Sequence, residues 1–252
     1  MLARLWTEWT IAIGFLREGR MQTLMITIGV AVGVAVIVFV TALIQGLQAN
    51  VIDRTLGTQA HIRLTMPDEI NRVAPLAAGT IALDQEDKRA QRLRNINNWQ
   101  NIVTALDARN DLTAVSPVVS GPALAQRGEA VESVALIGID LTRYQRIIPL
   151  ADYIIDGQLR LGADDALIGS SLAADLGVRV GSKIRLDSGQ QTARVINVTG
   201  IFELGVRELD ERYVFMELKQ VQPLLDLVGG VTVIDLKVAD IFTAEAIAQR
   251  IA

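Results

Sequence analysis

The chain has no cysteine. Disulfides and thiolate metal sites are therefore excluded, and the composition is compatible with an oxidising compartment without requiring one. Histidine is almost as scarce. His61 is the only one, so neither a His-based triad nor a His-pair metal site can be assembled within the chain. An excess of positive charge is also lacking: 24 Lys and Arg stand against 28 Asp and Glu, for a formal charge of -4. With no basic patch, nucleic acid is not an expected partner. A phosphate-binding loop is missing too. Gly177-Val178-Arg179-Val180-Gly181-Ser182-Lys183 departs from GxxxxGK[ST] because Ser182 intervenes before the lysine, and it follows a predicted helix where a P-loop joins strand to helix. No nucleophile–base pair emerges from the pattern, so no catalytic residue, metal ligand or cofactor site is expected.

Charge is absent altogether between Arg20 and Asp53, and within that interval Leu24 to Ile44 is almost wholly apolar. At ~1.5 Å per residue this stretch makes a rod of roughly 32 Å, the thickness of a bilayer's hydrocarbon core. A lone spanning segment must be helical to satisfy its own backbone groups. A cleaved signal peptide would have an apolar core of about 7–15 residues and a small-x-small cleavage site. The run here is longer, and Gln45-Gly46-Leu47-Gln48-Ala49 supplies no such site. An uncleaved anchor is the expectation. Arg4, Arg17 and Arg20 precede the span, while Arg54 and Arg63 are the nearest basic residues after it. The positive-inside rule then gives a cytoplasmic N-terminus and an extracytoplasmic main domain.

Before the span, Leu2, Leu5, Trp6, Trp9, Ile13 and Leu16 fall on one helical stripe, predicting an amphipathic helix on the cytoplasmic leaflet with Trp6 and Trp9 as interface anchors. Inside the span, Gly29 and Gly33 form a GxxxG, which would let a partner helix approach closely. The 3–4 spacing of Val40, Leu43, Ile44, Leu47, Val51 and Ile52 carries the helix past the bilayer as a stalk that stops near Gly57, with no proline to kink it.

The remainder reads as mixed α+β. His61 to Leu64 alternates as a strand, with His61 as a strand-face residue. Asp84 to Arg94 alternates charge sign like a solvated surface. A helix is expected over Ile96 to Leu106, and strands over Thr113 to Val119 and Ala130 to Ile139 with turns at Gly121-Pro122 and Arg127-Gly128. Ala166 to Gly169 predicts a short strand leading to a helix capped by serine (Ser170, Ser171) and stopped by left-handed Gly177. Strands over Lys183 to Leu186 and Thr192 to Phe202 flank a hairpin turn at Asp187 to Gln190. Tyr213 to Met216 and Val231 to Val238 read as strands around a helix near Leu218 to Leu227, and a last helix covers Thr243 to Ile251.

Ala166-Leu167-Ile168-Gly169, Leu172-Ala173, Leu176-Gly177-Val178, Val180-Gly181, Ile184, Leu186 and Val198-Thr199-Gly200-Ile201-Phe202 together resemble the periplasmic core domain of MacB-like and LolC/LolE-like ABC transporter permeases of the FtsX-like superfamily. The leader, from Phe15-Leu16-Arg17 to Gly33-Val34, is similar to that family's first span and its basic approach. Gly138-Ile139-Asp140, Asp210 and Gln222-Pro223-Leu224-Leu225 follow in the family's order.

The resemblance implies a membrane-anchored α+β protein, with one N-terminal transmembrane helix extended as a stalk into a mixed α+β periplasmic core domain. Its divisions would be an interfacial helix over 1–20, span and stalk over 21–56, and the core domain over 57–252. It also implies three further spans that this sequence does not reach, so a fragment or a truncated gene is expected. The implied function is a permease subunit in the bacterial inner membrane. It would transmit ATP-driven motion from a separate ABC ATP-binding subunit, beside a second permease copy and a periplasmic adaptor or acceptor protein. Export or release of a hydrophobic, lipid-like or peptide substrate would follow, as in efflux or lipoprotein release. The alternatives are an FtsX-type regulator of a periplasmic hydrolase and a single-span anchored binding module.

Overall fold

The structure, a computed structural model, describes residues 8, 9, 14, 20–57, 59–67, 93–189 and 193–251. The chain falls into two units, Met1–Arg54 and Thr55–Ala252. The first is dominated by α1 (Arg20–Gly57), an unbroken helix that ends at the glycine where the sequence places its stop. Within it the 27 residues Met21–Leu47 are long and apolar enough to cross a membrane, and none is buried. The Thr27 hydroxyl in its apolar part is satisfied internally, since Oγ1 donates to the Thr23 carbonyl at 2.8 Å. The expected amphipathic helix and Trp6 lie almost wholly outside the described residues, as does most of the charged run from Asp84; Trp9 is helical and exposed.

The second unit begins with β1 (Ile62–Thr65) and α2 (Trp99–Asp107), followed by β2 (Leu112–Arg127), β3 (Ala130–Ile139) and α3 (Leu141–Tyr144). A 3-10 turn then leads into β4 (Ile154–Gly157), β5 (Asp165–Gly169), α4 (Ser170–Asp175), β6 (Lys183–Asp187) and β7 (Arg194–Phe202). The order closes with α5 (Arg207–Arg212), β8 (Tyr213–Glu217), α6 (Leu218–Leu224), β9 (Val233–Val238) and α7 (Ala244–Ile251).

The nine strands among the described residues join one mixed sheet in the order β1-β9-β2-β3-β8-β5-β7-β4, with β6 bridging β2 and β7. That bridge closes β2, β3, β8, β5, β7 and β6 into a ring, while β9 and β1 branch from the first half of β2. Closure removes exposed strand edges around the ring. Side chains from all six strands share one apolar cluster, including Ala123, Leu136, Val214, Ile168, Val198 and Ile184. Leu172 of α4 and Val221 of α6 belong to the same cluster. Gly138 makes the approach of α6 possible, because a Cβ there would lie 2.7 Å from Val221 Cβ. A second core on the other face holds the rings of Tyr144, Phe202 and Phe215, with centroids 5.7 and 5.2 Å from Phe215.

Three local expectations are corrected. No turn occurs at Gly121-Pro122: β2 runs straight through, and the chain reverses only at Gly128, whose φ is +58°. The Val118 carbonyl and the Ser120 N–H both bond to Thr232, so by strand alternation the missing N–H of Pro122 faces the same side. There it falls between the last β9 pairing at Val118 and the first β6 pairing at Leu124. Proline is tolerated where no ladder bond is lost. The serine cap is absent as well. Gly169 occupies the N-cap of α4 with no side-chain bond, and a Cβ there would sit 2.1 Å from the Asp210 carbonyl. Lastly, α2 starts at Trp99 rather than Ile96. The Ile96 N–H bonds to the Val231 carbonyl, and Asn98 adopts a left-handed φ of 60°. β4 and the short helices α3 and α5 had no counterpart in the sequence reading.

Candidate functional site

Gly29 and Gly33 lie in the first half of α1, within its apolar part, and a Cβ at either would meet nothing within 4 Å. The apolar residues around them, Val30, Val32, Val34 and Ile28, are exposed, so the helix presents apolar surface on every side. Such a helix is suited to a bilayer or to other helices.

The other candidate is where the chain enters the second unit. Four residues separate the end of α1 from β1, and among the described residues β1 pairs only with β9, from Ile62↔Leu236 to Thr65↔Val233. His61 extends that pairing: its N–H bonds to the Leu236 carbonyl at 3.0 Å, and its Nδ1 accepts from the Val238 N–H at 3.3 Å. Both bonds make it part of the β1–β9 pairing, as a strand-face residue would be. Next to it, Arg63 Nε donates to Asp235 Oδ1 at 3.0 Å, with side chains 59% and 2% exposed. Opposite-charge neighbours on facing strands reinforce pairing, and here one partner is buried.

On its other side Asp235 pairs in register with Ser116 of β2. The Ser116 hydroxyl oxygen is buried without a hydrogen-bond partner among the described residues. Arg63, Asp235 and Ser116 thus form a polar row across three strands. Burial pushes the Asp235 carboxyl above its ordinary range, and the Arg63 charge and hydrogen bond oppose this without cancelling it. Burial is the largest single influence on Arg63 and acts to lower it, but the Asp235 charge and hydrogen bond, with smaller contributions from Tyr213 and Tyr144, together hold the guanidinium above its usual value. Tyr144 in the second core is also pushed up, by burial first and by Asp235 second. Sequence spacing cannot reveal a pair 172 residues apart. The available signal was Asp235 itself, a carboxylate inside the apolar strand sequence Val233-Ile234-Asp235-Leu236.

The residues that carry the family resemblance prove to be the frame of the ring. Ala166 to Gly169 form β5, and Gly177 terminates α4 with φ +61°. Val198 to Phe202 lie in β7. Asp210 is buried and accepts from the Leu204 and Gly205 N–H groups at 2.8 and 3.2 Å, which fixes the loop after β7. Desolvation raises its pKa, and those two bonds pull the other way. Asp140 caps α3 by accepting from the Arg143 N–H. In the glycine-rich turn at Gly177 to Lys183, Ser182 Oγ accepts from the Arg179 N–H, and the turn leads from a helix into a strand. Among the described residues no group of three His, Asp or Glu side chains is placed to hold a metal.

The chain belongs to the family of the MacB-like periplasmic core domain, whose family model matches residues 23–252. Among curated proteins it is similar to the lipoprotein-releasing system transmembrane protein LolC of Xylella fastidiosa, with 27% identity across 96% of this chain and 57% of that one. It is also similar to the corresponding LolE of Haemophilus influenzae, 28% identical over 59% of this chain and 38% of that protein. The chain therefore spans about half the length of these relatives. Among solved structures, the periplasmic region of MacB from Actinobacillus actinomycetemcomitans matches with a TM-score of 0.46 and 13% identity, covering 60% of this chain and 70% of that one.

Proposed function

We propose that the chain is the part of an ABC transporter permease subunit that carries a first span and an extracytoplasmic core domain. The family match across residues 23–252, with α1 leading into the core domain through four residues, is the observation that carries this reading. A separate cytoplasmic ATP-binding subunit supplies hydrolysis. Two permease subunits, identical or different, face each other, and α1 acts as the lever between membrane and domain. Residues 1–20 lie on the cytoplasmic leaflet, and 57–252 form the periplasmic domain. A proline-free helix transmits displacement without a built-in hinge. Its motion reaches the core domain first at β1, which Arg63 fastens to β9 through Asp235. The substrate is a hydrophobic, lipid-like or peptide molecule, released towards a periplasmic adaptor or acceptor protein; the LolC and LolE names support lipoprotein within that class.

Purification of the native protein from its own membranes in mild detergent tests this reading. An ATP-binding subunit is expected to accompany it, and depletion of that subunit should abolish substrate release. Isolation alone, with periplasmic substrates unaffected by ATP depletion, would favour a single-span anchored module. Activation of a wall hydrolase with no substrate movement would favour the regulator.

A further inference from the structure

The segment that follows β3 crosses a free edge of β2 and leaves a cleft beside it. β3 pairs with β2 only from Val118↔Ile139 onward, so among the described residues the start of β2 has no strand on that side. Two arginines cover the vacancy. Arg146 Nη2 donates to the Thr113 carbonyl at 2.9 Å, and Arg143 Nη1 reaches the Val115 carbonyl at 3.4 Å and the Asp107 carboxylate at 2.9 Å. The cleft is about 380 Å³ and is lined by both arginines, Thr113, Thr142, Leu106 and Leu112.

Covering two carbonyls uses one nitrogen of each guanidinium. An arginine carries five N–H donors in a planar fork, and here Nε and one terminal nitrogen of each remain outside these bonds. The bonds already made hold both forks in place, so little side-chain freedom would be lost on binding. Two arginines against Asp107 leave the cleft with one excess positive charge. A planar carboxylate is saturated by a single fork. Two separate guanidiniums beside two threonines suit a tetrahedral oxyanion, and Leu106 and Leu112 line the same cleft.

We propose that this cleft binds a phosphoryl oxyanion, either free phosphate or the headgroup of a phospholipid. The inference goes beyond the transport reading and needs only the folded second unit, so either can fail without the other.

The test is calorimetric titration of the full chain, in uncharged detergent, with inorganic phosphate. Saturable binding is expected. Arg143→Gln and Arg146→Gln should each weaken it by about tenfold or more, the loss typical of a charge-assisted bond. Arg160→Gln, remote from the cleft and paired with Asp165, should leave it unchanged. Asp107→Asn removes the competing carboxylate while both edge-covering bonds stay, and should tighten binding even if an arginine variant folds poorly. Short-chain phosphatidylglycerol that displaces phosphate identifies a headgroup site; failure to displace identifies a site for free phosphate. No saturable binding of phosphate overturns the proposal. So does binding that survives both arginine substitutions, or an affinity indifferent to Asp107→Asn.

Discussion

Removing the guanidinium of Arg63 leaves the Asp235 carboxylate in the interior without its ion partner, whereas Asp235→Asn returns a half-exposed arginine to water. The two variants should therefore differ sharply. Arg63→Ala is expected to cost about 2–3 kcal/mol at neutral pH, and Asp235→Asn under about 1 kcal/mol. Equilibrium denaturation of both variants and of the double variant checks this. The pH dependence has a definite sign. The folded-state pKa of Asp235 lies above the ordinary 3.8, so the folded protein binds its proton before the unfolded chain does. Ionised Asp235 thus opposes folding at neutral pH. The penalty is relieved as pH falls through the raised pKa towards 3.8. Relative to Asp235→Asn, the wild type should gain stability over that window. In Arg63→Ala the gain should begin at a higher pH, because the opposing positive charge is gone. Gly169 makes a second residue-scale test. Alanine there meets a backbone carbonyl that no rotamer change can move aside, and a loss of about 3 kcal/mol by thermal melting is expected.

At the scale of elements, what could be read beforehand was what local pattern encodes. α1 ends where polar residues and Gly57 interrupt its apolar run, and β5, β6, β7, β8 and the close of α4 at Gly177 follow from alternation and turn chemistry. The failures share a cause, which is tertiary contact overriding a local signal. Gly121-Pro122 looks like a turn. Inside β2, however, the proline falls between two pairing partners, and the glycine admits Leu225, whose side chain would lie 2.8 Å from a Cβ. Closure of the ring through β6 was equally hidden, since it depends on Leu124 to Gln126 meeting Asp187 to Arg185 across some sixty residues. The ring makes its own prediction. Phe215 is fully buried where β8 meets the second core, and Phe215→Ala should destabilise the unit by about 3–5 kcal/mol in the same denaturation experiment. In α1, replacing Gly29 and Gly33 by leucine should preserve the helix, since each change removes about 1 kcal/mol of unfavourable propensity. It should weaken association with a partner span, read as lost cross-linking between subunits in membranes; undiminished cross-linking would mean that the glycines are not the contact.

For the whole molecule, the family follows from the ordered pattern around β5 to β7, and those residues hold the ring together. The polar row at β1 was not legible, because its members come from three distant stretches of chain. Its position is what links fold to proposed function: the first strand after the apolar helix is held by its ladder with β9, by Ile62 in the main apolar cluster and by the Arg63–Asp235 pair. The absence of cysteine makes the decisive measurement direct. A single Thr65→Cys, at an exposed position of β1, can be labelled with an environment-sensitive fluorophore in the complex isolated with the proposed ATP-binding subunit. Transmission from α1 to the core domain requires the emission to change when ATP is added and to return after hydrolysis. Emission indifferent to ATP, in a complex that hydrolyses it, would contradict the lever.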